Sequence, residues 1–198
     1  MMNPFIFLII SFFLLSCGTP SKNSEEHVIG GPKEAVESTD TSPIEETPPY
    51  GAVRGDFMGS NDWFYVYPKK NKHGTGMALF SEYEEIGKIS LPKAVATKLE
   101  VYSDEAFATD ILVARTQLED PQFNKYHLFI FREGKWLPLV NGFAIHKSHM
   151  SDTLRPFWRD PKDATKVVRH YSVFDLDTSS DEGYTWRLLT ESVPMLNR

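Results

Sequence analysis

From residue 50 onward the apolar positions of this chain recur mainly with a period of two rather than 3.6, which is the spacing of strands. Thr97 to Tyr102 alternates cleanly, with Leu99 and Val101 on one face and Lys98 and Glu100 on the other. Asp110 to Thr116 breaks that alternation with Ile111-Leu112-Val113, a run that reads as buried. Tyr126 to Arg132 is a second two-sided apolar run, Glu133-Gly134 suits a tight turn, and Lys135 to Val140 returns from it. Asn141-Gly142 is a type I′ hairpin signal leading into Phe143 to His146, so the whole stretch predicts a three-stranded meander. Trp63 to Tyr67 and Gly76 to Phe80 flank a loop rich in Lys, Asn and Gly. Val167 to Asp175 with Tyr184 to Leu189 predicts a closing hairpin.

Helical periodicity is scarce. The best helix candidate has Asp160 as N-cap and Pro161 at the first helical position, and reaches about Val168. Thr165, Val167 and Val168 suit a strand equally well. The expected fold is therefore all-β or β-dominated, a β-sandwich or partly open barrel with at most one short helix, and the alternative is α+β. Residues 50–198 are one domain's worth of chain, with no convincing internal repeat.

The first 49 residues are of a different kind. Phe5 to Leu15 is an apolar run of eleven residues interrupted by Ser11, too short for a transmembrane helix, which needs about 20. It closes on Leu14-Leu15-Ser16-Cys17, and Cys17 is the only cysteine of the chain. These four residues resemble a bacterial lipobox. The resemblance implies that residues 1–16 are a signal peptide and that Cys17 becomes the lipidated first residue of the mature protein. Gly18 stands where an Asp would resemble an inner-membrane retention signal, so the resemblance implies a lipid anchor in the outer membrane. Ser24-Glu25-Glu26 resembles an acidic signal for export to the outer face, or else is a solvated spacer. One acyl chain binds a bilayer marginally, whereas several hold a protein stably.

Residues 18–49 are rich in Ser, Thr, Pro and Glu and almost free of large apolar groups, a composition that reads as a disordered tether. Lys22 and Lys33 stand there against Glu25, Glu26, Glu34, Glu37, Asp40, Glu45 and Glu46, which leaves −5 of the chain's −6 on the tether. The folded part is close to neutral. With an extracytoplasmic address, that argues against a nucleic-acid partner.

No catalytic or cofactor motif is present: there is no Gly-x-Ser-x-Gly, phosphate-binding glycine loop or His-Glu-x-x-His. His146 and His149 are three apart, and on a strand that spacing sends them to opposite faces, so they read as no metal site. Ser148 and His149 lack an identifiable acid partner. Asp175-x-Asp177-x-Ser179-x-Asp181 imitates a calcium loop, but Ser180 replaces the required glycine and Trp186 the bidentate glutamate, so it reads as an acidic hairpin loop. Arg54-Gly55-Asp56 matches an adhesive tripeptide by three letters only.

Ser148 to Lys166 predicts a long loop, and in it Arg155, Phe157, Trp158 and Arg159 interleave cations with aromatics, the residue types that anchor binding surfaces. Phe157 and Trp158 also suit plugs at the end of a β core. The sequence thus points to a cell-envelope lipoprotein whose domain binds a protein, an envelope polymer or a glycan without cofactor. The alternatives are a secreted hydrolase acting on envelope polymers, or an immunity-type inhibitor.

Overall fold

Ile111–Leu118 (β6) does not alternate because the sheet containing it is covered on both faces: Ile111, Leu112, Val113 and Ala114 are all buried. In this computed structural model, which describes residues 47–72 and 75–197, β6 is flanked by Ala94–Tyr102 (β5) and Phe123–Arg132 (β7). Beyond β7 lie Lys135–Pro138 (β8) and Phe143–His146 (β9). One face of this five-stranded sheet turns Leu99, Leu112, Ala114, Phe129 and Phe131 towards a four-stranded sheet. That sheet is formed by Val53–Gly55 (β1), Phe64–Lys70 (β2), Met77–Ser81 (β3) and Ile89–Leu91 (β4), in that order. The core between them is aromatic: Phe64 meets Phe131 edge-on at 5.8 Å and Phe57 meets Trp136 at 5.1 Å. The indole N–H of Trp136 is satisfied by Ser81 Oγ at 3.2 Å.

The opposite face turns Ile111, Val113, Tyr126, Leu128, Ile130, Phe143 and Ile145 towards Phe157 and Val167. Those two belong to a three-stranded sheet of Phe157–Arg159 (β10), Lys166–Leu176 (β11) and Tyr184–Pro194 (β12). The domain is therefore β-dominated: three antiparallel sheets, none closed into a barrel, stacked with the five-stranded sheet in the middle. The expectations for residues 1–46, Cys17 among them, lie outside the described residues.

Two local expectations are corrected. Among the described residues the only helical turn is the 3₁₀ segment Lys147–His149, and no helix starts at Asp160. Asp160 Oδ1 accepts the Lys162 N–H (2.8 Å) and Asp163 Oδ1 accepts the Thr165 N–H (2.9 Å). These two side-chain turns take the backbone donors a helix would need, and they deliver Val167 and Val168 into pairing with Arg159 and Trp158.

The meander is also different. Glu133 and Gly134, with φ of 49° and 75°, form the hairpin turn with both central residues left-handed, as a type I′ turn requires. Asn141-Gly142 is no turn, because β8 and β9 do not pair with each other but run end to end along β7. Phe129 faces Pro138 and Tyr126 faces Phe143, so residues 139–142 bulge opposite His127 and Leu128. Burial of Leu139 and Val140 favours this path over a hairpin tip. At Gly142 a Cβ would lie 3.1 Å from His127 Nδ1, so a larger residue there would press on that ring.

Candidate functional site

Alternation along β10 separates the four residues singled out in the sequence. Phe157 points inward, 5% exposed, with its ring 4.8 Å from that of Tyr102. Trp158, on the other face, is half-buried against His170 at 5.1 Å. Arg155 and Arg159 follow the direction of Phe157, Arg155 reaching Tyr102 at the end of β5 and Arg159 the loop 103–110 that follows it. The Arg155 guanidinium donates to Tyr102 Oη and lies 5.6 Å from its ring. Arg159 donates to the carbonyl oxygens of Ala106 (2.6 Å) and Ala164 (3.3 Å) and lies 5.7 Å from the Phe107 ring. Tyr102 donates in turn to Asp104 Oδ2 at 2.7 Å. That bond, together with the Ala106 N–H, holds the Asp104 carboxyl below the usual carboxylate range, while burial pushes the Tyr102 phenol up. The structure thus sets Arg155 on Tyr102 and Arg159 on the loop that follows it, puts Phe157 in the core and leaves Trp158 partly open.

The clamped loop borders three clefts. The largest, about 510 Å³, runs between Asp104, Ala106, Arg159, Asp160 and Lys162 and is polar. The Asp160 carboxyl is held low by the Ser192 hydroxyl and the Lys162 N–H. A second, about 360 Å³, has an apolar floor of Phe107, Ile130 and Leu139 with Met58 and Met195 at its sides. A third, about 270 Å³, lies against Asp56, Ser103 and Asp110. The three clefts offer an apolar floor and a few hydrogen-bonding groups.

The histidines come closer than strand parity allows. The chain leaves β9 at His146 and turns, which brings the rings of His146 and His149 to 6.5 Å. His146 caps that turn, with Nδ1 accepting the Ser148 N–H at 3.3 Å and lying 2.8 Å from Ser148 Oγ. His149 Nε2 donates to the Trp186 carbonyl oxygen at 2.7 Å. The Ser148 hydroxyl thus pairs with His146 rather than with His149, and among the described residues no three potential ligands converge on a metal position.

The acidic loop and the Arg-Gly-Asp tripeptide are also engaged locally. Asp177 Oδ1 accepts from Ser179 N at 3.0 Å, and Asp175 pairs with Arg187 at 2.8 Å. The Asp56 carboxylate takes the backbone N–H groups of Gly59, Ser60 and Asn61 at 2.8–3.2 Å, and a Cβ on Gly55 would meet the Phe57 ring at 2.8 Å.

Sequence reasoning missed the far half of the last hairpin as a surface. Phe174 (54% exposed), Leu176 (76%) and Tyr184 (36%) share one face with Trp186, and the Phe174 and Tyr184 rings stack at 5.2 Å. The signal was there in Phe174-x-Leu176 and Tyr184-x-Trp186, whose cross-strand register places all four on the same side. Comparison with protein-family models, with curated proteins and with solved structures finds no match to this chain.

Proposed function

We propose that this chain is a lipid-anchored protein of the cell envelope, held in the outer membrane through Cys17, whose β domain is a non-catalytic binding module for a protein or an envelope glycan. The observation that carries the anchor is the apolar run ending in Leu14-Leu15-Ser16-Cys17 with no second cysteine in the chain. What supports binding is the surface composition: the half-buried Trp158 on one face of β10, the clefts around loop 103–110 on the side of Arg155 and Arg159, and the open aromatic face of the last hairpin. The acidic, proline-containing composition of residues 18–49 suits a spacer between this anchor and the domain.

Mass spectrometry of the mature amino terminus tests the anchor. The expected result is Cys17 as first residue carrying lipid, with Cys17→Ala shifting the protein from the membrane to the soluble fraction; cleavage elsewhere or a free Cys17 thiol overturns it. Affinity purification from membranes tests the module. A Trp158→Ala protein that folds is expected to lose the partner recovered with the parent, a cost of at least about 2 kcal/mol for a hot-spot residue. Unchanged recovery removes Trp158 from the binding surface.

A further inference from the structure

β12 is an edge strand, and the parity of its hydrogen bonds settles what that edge presents. Asp177 N donates to Gly183 O (3.1 Å) and Met195 N to Thr165 O (3.0 Å), so odd-numbered residues of β11 and β12 bond each other across their continuous register. His170 N donates to Pro156 O (2.9 Å), so even-numbered residues of β11 turn the other way. On β12 the even-numbered Leu188, Thr190 and Ser192 therefore aim their backbone groups away from the sheet, and among the described residues nothing pairs with them. The open stretch is bounded. Trp186 O is taken by His149 and Tyr184 O by Ser180 Oγ (2.9 Å), and Pro194 has no N–H. β12 shows no bulge against β11 and carries no lysine, two of the usual devices that keep an edge from pairing.

We infer that the occupant of this edge is a second copy of the chain, paired antiparallel about a twofold axis through Leu189. In that register Leu188 bonds Thr190 of the second copy, Leu189 meets its counterpart, and Arg187 lies directly opposite Glu191, twice by symmetry. Opposite charges directly across a strand pair are favourable. Moving the axis to Leu188 or Thr190 sets Thr185 or Leu189 against Glu191 and loses both charge pairs. Within one copy Arg187 already bonds Asp175, and Glu191 bonds Arg169. The seam therefore continues an alternating row, Asp175, Arg187, then Glu191 and Arg169 of the second copy. The paired stretch runs from Arg187 to Glu191, since His149 holds Trp186 O at one end and Leu196 N donates to Leu139 O beyond the other. The pairing joins two three-stranded sheets into one. It goes beyond the binding module and does not depend on the anchor.

The test uses the full chain with Cys17→Ala, so that an introduced thiol is the only one. A twofold pair centred on Leu189 is a non-hydrogen-bonded position with Cα atoms about 4.5 Å apart, within disulfide range. Leu189→Cys is expected to oxidise mainly to a covalent dimer. Arg187→Cys alone stays monomeric, while mixing it with Glu191→Cys yields a cross-linked pair. Adding Thr190→Pro to Leu189→Cys removes an outward N–H without touching the ladder to β11, and is expected to lower the dimer yield at least about tenfold. Val95→Cys, 45% exposed on β5, measures chance collision. Equal cross-linking of Leu189→Cys and Val95→Cys overturns the proposal whether or not the proline variant folds. So does a folded Thr190→Pro chain that dimerises like its parent.

Discussion

Phe157→Ala is expected to lower the stability of the folded domain by about 3 to 5 kcal/mol, the range for removing a buried phenylalanine. β10 is three residues long, so little besides this ring holds it to the second core. Phe157 shares its core cluster with Ile111, Val113, Leu128 and Val167, with the Tyr102 ring at 4.8 Å, so its loss leaves a cavity in a packed interior. The effect should spread, because Arg155 and Arg159 depend on the seating of β10 to reach Tyr102 and Ala106. Urea denaturation measures it. A midpoint like that of the parent would mean that Phe157 is not a core residue. Trp158→Ala, whose ring keeps one side in solvent, is expected to cost far less, on the order of 1 kcal/mol for its contact with His170.

The second large effect is a loss of stability in mild acid, carried by His127. Burial, and then the neighbouring Lys125 charge, push its pKa down to about 4 from the usual 6.5. The unfolded chain therefore binds a proton where the folded chain does not, and stability present above pH 6.5 falls as the pH drops from 6.5 towards 4. For a ring that is mostly buried the full loss is up to about 3 kcal/mol, from roughly 1.4 kcal/mol per tenfold difference in proton affinity. His146 is shifted in the same direction, mainly by burial, and adds to the same window. The carboxyl of Asp163, held at about 2 by the Thr165 hydroxyl and N–H, acts in a lower window, below the ordinary carboxylate value of about 3.9. Urea midpoints at pH 7 and pH 4.5 for the parent and His127→Asn separate these contributions. A variant as acid-sensitive as its parent would remove His127 as the cause.

Strands with strong local patterns were legible in the sequence. Leu99 and Val101 against Lys98 and Glu100 gave β5, and the unbroken Ile111-Leu112-Val113 marked the strand covered on both faces. The three-residue strands β1, β4 and β10 were not, because their partners rather than their own periodicity create them. Asn141-Gly142 misled because burial of Leu139 and Val140 outweighs a turn preference, a contest invisible without the neighbouring strand. Of the candidate site, residues 155–159 read as loop, so the strand β10 that turns Trp158 away from Phe157 was not legible. The sequence could not show that Tyr102 and the loop after it, about 50 residues earlier, are what the two arginines hold.

Each of the three sheets is drawn from one uninterrupted stretch of chain, 53–91, 94–146 and 157–194, with Pro92 and Lys93 alone joining the first to the second. Assembly can therefore proceed in the order in which the chain is synthesised. No strand has to thread between sheets already formed, and each hairpin closes over a short loop at modest entropic cost. The arrangement also gives the intermediates an asymmetric hazard. Until the last 40 or so residues arrive, Val113, Leu128, Ile130 and Ile145 stand uncovered on one side of the middle sheet, while the opposite core is already sealed. Premature stops near the carboxyl end would thus leave a half-built, sticky protein rather than an unstructured one.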